Sequence, residues 1–150
     1  MSSQFIGSVE CALQDHTGKF LIIQRPQNVH AAGLLAFPGG GVEYYDGTQD
    51  NDLLITAAKR EVFEEVGLIL EDPVEYLTSR YFLDHKQRPI MHTIFYCQLN
   101  KTKLALNISA REVPEYHWLC YQEIIDMPNC PPWLKTYLEL IHTKFTRLNK

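Results

Sequence analysis

Phe37-Pro38-Gly39-Gly40-Gly41, followed by Arg60-Glu61-Val62-Phe63-Glu64-Glu65-Val66-Gly67-Leu68, are the two stretches from which the rest of the chain can be read. A helix over residues 52–66 places Leu54, Ala58, Val62 and Val66 four apart on one buried stripe. At about 100° per residue, Glu61, Glu64 and Glu65 fall together on the neighbouring face. Like charges within one turn repel, so this cluster costs stability unless something neutralises it. A hard divalent cation does so, because it takes oxygen ligands and keeps several waters. Gly67 ends the helix as a residue free to take positive φ. The plainer reading is an acidic face turned to solvent. Two neighbours argue against it. Arg60, four before Glu64, can pin a carboxylate, and the three glycines let backbone approach a metal or a phosphate closely.

These residues resemble the signature of the Nudix hydrolases, G-x5-E-x7-R-E-U-x-E-E-x-G-U with U aliphatic. From Arg60 to Leu68 every specified position matches. The first half departs from the pattern. Counting back from Arg60 puts its first Glu at Asp52, and eleven residues separate Gly40 from Asp52 where the pattern has five. The chain therefore reads as a Nudix box with six extra residues, expected within Glu43–Asp50. Asp52 would then either support the box or cap the helix.

The resemblance implies an α/β fold over nearly the whole chain: a Nudix-type α/β/α sandwich with a central mixed β-sheet. It implies metal-dependent hydrolysis of a diphosphate bond in a nucleoside diphosphate derivative, such as an NTP, a dinucleotide, a nucleotide sugar or a coenzyme A-like molecule. Such an ester is itself negatively charged, so attack by water needs cations that screen and polarise it. Mg²⁺ or Mn²⁺ is the expected cofactor, held by Glu61, Glu64, Glu65 and a backbone carbonyl near Gly40. Arg60, Glu61, Glu64, Glu65 and Glu115 form the expected catalytic set, with Glu112 beside Glu115 as a second carboxylate able to position the water. Arg25 and Phe37 are the expected substrate contacts.

Markers of substrate subgroups are missing. Leu83 stands sixteen past Gly67 where the ADP-ribose type has proline, and Tyr81 falls short of the dinucleoside-polyphosphate tyrosine. The S-Q-P-W run of the NADH subgroup is also absent. A loose likeness to the coenzyme A pyrophosphatases lies in Gln24-Arg25, His30, Gly33 and Phe37–Gly40.

Working outward, strands are expected over Phe5–Gln14 and Phe20–Gln24, joined by an Asp15–Lys19 turn, with a further short run over Leu34–Phe37. Two more are expected near Tyr76–Leu83 and Pro89–Leu99, and a closing strand near Glu112–Leu119. His92 lies in the second of these as a cleft or core residue rather than a metal ligand. A short helix over Tyr121–Met127 and a last amphipathic helix starting at Pro131-Pro132, with Leu134, Tyr137, Leu138 and Ile141 inward, complete the order.

With 150 residues the chain is expected to form one domain, 1–150, large enough for a real core. Its formal charge of −4 gives no basic field for sequence-independent nucleic-acid binding. The four cysteines lack C-x-x-C spacing, and three of them, in or next to apolar strand-like runs, read as reduced core thiols. MSSQFIGSVE is not a secretion signal, and no apolar run approaches the ~18 residues of a membrane span. A cytoplasmic enzyme with a small nucleotide-type substrate, no nucleic acid and no membrane is expected, and a homodimer is compatible with it. Two other readings are a silent module that binds a nucleotide ligand and an isopentenyl-diphosphate isomerase relative. The first needs no metal-holding carboxylates; the second needs a catalytic cysteine and a histidine metal site that the sequence does not place.

Overall fold

The computed structural model describes residues 4–100, 106–108 and 115–145. Among them seven strands form one sheet: β1 (Ile6–Gln14), β2 (Phe20–Gln24), β3 (Leu35–Ala36), β4 (Gly39–Gly41), β5 (Glu75–Leu83), β6 (Pro89–Gln98) and β7 (Glu115–Leu119). The strand order is β3-β2-β1-β6-β5, with β4 pairing β1 and β7 pairing β2. β1 and β6 run parallel, in register from Ile6↔Ile90 to Gln14↔Gln98, while the other pairs are antiparallel. The sheet is therefore mixed, as the sequence reading expects.

Alternation along β1 decides what covers each face. Val9, Cys11 and Leu13 point to one side, where α1 (Leu53–Val66) lays Ala57, Ala58, Val62 and Val66 against them. Ala12 points to the other side, into a core shared with Phe20, Ile22, Ile94 and Tyr96. There α3 (Pro132–Phe145) supplies Leu134, Tyr137, Leu138 and Ile141, the four residues that its periodicity predicts. A short α2 (Tyr121–Asp126) adds Ile124 to the same layer. Helices on both faces of a mixed sheet make the α/β/α sandwich. Cys11 and Cys97 are fully enclosed between β1, β6 and α1, and burial raises both thiols, Cys97 to about 12. All four cysteines are free. No helix among the described residues is long and apolar enough to cross a membrane.

Both ends of α1 are fixed by identifiable groups. Asp52 Oδ1 accepts from the Ile55 N–H at 2.9 Å, which makes Asp52 the N-cap. Gly67 takes φ +73°, donating its N–H to Phe63 O at 2.9 Å. Its neighbour Val66 accepts from Asn107 N at 2.8 Å. A Cβ on Gly67 would lie 2.6 Å from the Asn107 Cβ. Gly67→Ala thus combines left-handed strain with a clash. We expect it to destabilise the fold by about 2 kcal/mol, read as a lower urea midpoint at unchanged slope.

Candidate active site

The site begins at β4. Glycine is required at 39 because a Cβ there would stand 2.1 Å from the Val9 carbonyl oxygen, so any side chain would push β4 off β1. At 40, the space a Cβ would take is filled by a carboxylate: Glu61 Oε2 lies 2.1 Å from that point. One helical turn on, Glu65 Oε1 accepts the Gly39 N–H at 2.7 Å. Glu61 and Glu65 therefore both pack on the glycine strand, with side-chain exposure of 15 % for Glu61 and residue exposure of 8 % for Glu65. Glu64 turns outward, 47 % exposed. The three carboxylates of one helical face thus divide into two inward and one outward.

Arg60 holds this arrangement. Its Nε and Nη2 make a fork on Asp46, at 2.8 Å to Oδ1 and 2.9 Å to Oδ2. Nη1 donates to Glu61 Oε1 at 2.7 Å and to Glu64 Oε1 at 3.1 Å, and Nη2 donates to the Gly41 carbonyl at 2.8 Å. The Tyr45 ring lies beneath the guanidinium, 5.4 Å from centroid to Cζ. Asp46 is 2 % exposed. The hydrogen bonds from Arg60 hold its carboxyl below the usual range, and Asp46 in turn raises Arg60.

Asp46 corrects the expected placement of the extra residues. It belongs to a single 3₁₀ turn, Tyr44–Gly47, whose entry is closed by Glu43 N donating to Asp46 Oδ2 at 2.8 Å. Counting forward from Gly40, five residues intervene and Asp46 is next. Asp46 therefore stands where the signature has its first Glu, and the additional residues lie between it and α1. Asp52 takes the other role open to it, the helix cap. The segment is anchored at both ends, since Asn51 Nδ2 donates to the Asp46 carbonyl at 3.0 Å.

Among the described residues no three His, Cys, Asp or Glu side chains are placed to hold one metal ion. The donors at the glycine strand nonetheless suit a magnesium-type cation. Glu61 and Glu65 offer hard carboxylate oxygens against the glycine strand, Glu61 Oε2 taking the space that a Gly40 side chain would fill. Arg60 engages both Glu61 and Glu64, and Glu64 alone of the three turns outward.

The remaining expected residues are more dispersed. Arg25 ends β2 and donates from Nε to the His30 carbonyl at 2.7 Å, on the wall of a cavity. Phe37 does not face that cavity. It is 1 % exposed and packs on Phe20 and Tyr137, with ring centroids at 5.9 and 6.5 Å. Its side chain is core, and only its N–H reaches a polar group, Glu10 Oε1 at 3.1 Å. Glu115 opens β7 opposite Gln24, and its carboxylate accepts from His117 Nε2 at 3.0 Å rather than meeting the glycine strand. Glu112 lies outside the described residues.

The cavity, of about 320 Å³, uses the glycine strand as one wall and opens on the face of the sheet away from α1. Ser8, Glu10 and His92 line it together with Arg25, Arg80 and Phe82. Sequence reading passed over Ser8, Glu10 and Arg80. Glu10 carried a signal, as a charged residue inside an otherwise apolar strand. Burial and Arg25 lower the pKa of His30, which stacks on Phe82 at 4.8 Å.

Comparison with known proteins agrees with this fold. A family profile described as the NUDIX domain matches residues 5–142. A MutT protein from Methanosarcina mazei Go1 superposes with a TM-score of 0.72 at 24% identity, over 100% of this chain and 99% of that one. The NUDIX domain of Shewanella oneidensis NrtR, solved with ADP ribose, gives 0.70 at 20%, over 98% and 90%. A C. elegans Ap4A hydrolase gives 0.72 at 16%, over 94% and 98%. At these identities the likeness is one of fold. Comparison with curated proteins returns no match.

Asp46 and Asp52 can be told apart by experiment. Asp46→Asn is expected to destabilise by about 2 kcal/mol, since it removes a charge from a buried, charge-assisted pair, and to lower hydrolysis as well. Asp52→Ala should cost about 1 kcal/mol as a lost cap with hydrolysis intact. The Asp46 contribution is present above its unfolded pKa of about 4 and disappears as pH falls through its lower folded value. Melting curves between about pH 5 and pH 2 should therefore fall more steeply for the wild type than for Asp46→Asn.

Proposed function

The chain belongs to the NUDIX domain family and is a Nudix hydrolase, and from that premise we propose that it hydrolyses a diphosphate bond in a nucleoside diphosphate derivative. NTPs, dinucleotides, nucleotide sugars and coenzyme A-like molecules are the candidate substrates. The observation that carries the reading is the pair of inward carboxylates, Glu61 held by the Arg60–Asp46 lock and Glu65 by the Gly39 N–H, both set against the same glycine strand that walls the cavity. A substrate whose base enters the cavity would lay its diphosphate along Gly39–Gly41, within reach of both carboxylates.

In this reading Glu61, Glu65 and the Gly40 carbonyl would hold Mg²⁺ or Mn²⁺, which when bound screens the diphosphate charge and polarises the scissile bond. The chain's own groups do the rest. Arg60 draws off Glu64 and fixes the rotamer of Glu61. The Gly39 N–H orients Glu65 by one oxygen. One of the two inward carboxylates takes the proton of the attacking water. Arg25, at the cavity wall, is placed to meet an anionic group of the substrate. A single domain over residues 1–150, acting in the cytoplasm on a small molecule rather than on nucleic acid or membrane, goes with this activity.

The test is phosphate release from a panel of NTPs, dinucleotides, nucleotide sugars and coenzyme A. Hydrolysis should need Mg²⁺ or Mn²⁺ and stop in excess EDTA. Glu65→Gln keeps the Gly39 hydrogen bond but removes a charge. It should lower kcat by at least ~10²-fold, about 2.7 kcal/mol of barrier, without lowering the melting temperature. Wild-type turnover by this variant would remove α1 from the chemistry and favour a nucleotide-binding module.

A further inference from the structure

Three polar groups form a continuous chain on the cavity floor. Ser8 Oγ bonds His92 Nδ1, His92 Nε2 bonds Glu10 Oε2, and Glu10 Oε1 accepts the Phe37 N–H at 3.1 Å. Glu10 and His92 are each only 8 % exposed, while Ser8 is half-buried and lines the cavity. Backbone pairing builds the chain. The parallel register sets Ser8 beside His92, and Glu10 lies two residues along β1 on the same face. None of the three belongs to the carboxylate cluster of α1.

An ionised carboxylate only accepts, so His92 Nε2 carries a proton toward Glu10. With a neutral imidazole Nδ1 accepts, and Ser8 donates its O–H to it. In that state the Ser8 oxygen presents lone pairs to the cavity and the floor is an acceptor surface. Its walls discriminate far less. Phe82 stands edge-on to His92 at 5.6 Å, His30 stacks on Phe82, and Arg80 spans Phe82 and Trp133 at 4.7 and 4.9 Å. Such planes take any flat ring.

We propose that Ser8, oriented by the His92–Glu10 pair, is a specificity-determining contact that selects nucleobases carrying an exocyclic amino group. The amino N–H donates to the Ser8 oxygen, and a base without it leaves that buried acceptor unpaired, which a polar site penalises strongly. His92 and Glu10 act through Ser8 as positioning residues. The inference rests on the reading that the cavity receives the base of a nucleotide.

The experiment measures binding rather than turnover, so it does not depend on the α1 carboxylates. Calorimetric Kd values are taken at pH 8 for nucleoside monophosphates that differ only by the amino group. The pairs are AMP against purine riboside monophosphate, GMP against IMP, and CMP against its 4-deamino analogue. In the wild type at least one pair should favour the amino member by ~10-fold or more. Ser8→Ala should bring that ratio below ~3-fold, and His92→Gln, which frees the Ser8 O–H to point into the cavity, should do the same. If Ser8→Ala lowers the melting temperature, Ser8→Cys keeps the volume and gives the same reading. Ratios near one in the wild type, an unchanged ratio in the Ser8 variants, or no binding of any monophosphate would overturn the proposal. Discrimination without hydrolysis of the phosphate-release panel would sustain it and sink the enzymatic reading instead.

Discussion

One guanidinium holds the carboxylate helix, the 3₁₀ turn and the glycine strand together. Arg60 sits on α1, yet its hydrogen bonds end on three separate pieces of chain: the 3₁₀ turn at Asp46, the glycine strand at Gly41 and its own helix at Glu61 and Glu64. A planar fork with five N–H donors can serve all of them at once, and a lysine ammonium cannot. The same contacts relieve the repulsion that three carboxylates within one turn would otherwise bring. The ion pair is therefore structural and electrostatic together. It fixes where Glu61 points, while the Gly39 N–H fixes Glu65, and it makes the clustering of the carboxylates tolerable.

The glycine strand is the hinge between two kinds of recognition. On the α1 side the missing side chain of Gly40 admits Glu61, and the Gly39 N–H bonds Glu65. On the other side it forms part of the cavity wall, next to Ser8, Glu10 and His92. A strand of three glycines is poor at packing and would weaken an ordinary sheet. Here it is held by β1 pairing at Ser8↔Gly41, Val9↔Gly40 and Glu10↔Gly39, so the thinnest wall of the molecule has a firm backing.

Much of this was legible in the sequence. The stripe through Ala58, Val62 and Val66, the Gly67 stop and the inward residues of α3 follow from helical periodicity, a local property that needs no partner. The Nudix signature placed Arg60, Glu61, Glu64 and Glu65. Asp46 is hidden from the signature's spacing because the extra residues separate it from Arg60, and only the fold brings the two side chains together. Nothing local to Phe37 shows which way its ring turns; it lies between Phe20 and Tyr137, which come from distant parts of the chain. The floor of the cavity was out of reach for a deeper reason. Ser8 and Glu10 meet His92 only through the parallel β1–β6 pairing, and no pattern local to either strand reveals its partner.

That pairing also sets an order of events in time. Ser8 and His92 are 84 residues apart in the chain, although they touch in the fold. At about 5–20 residues per second, a ribosome makes His92 roughly 4–17 s after Ser8. Throughout that interval β1 has one long edge unpaired, with its apolar residues already made and the Nudix helix emerging beside it. Closing so long a loop is entropically slow, and parallel pairing brings no reward until it is closed. The nascent chain is thus most exposed to misassociation along β1, and the floor of the cavity comes together only once β6 has been made.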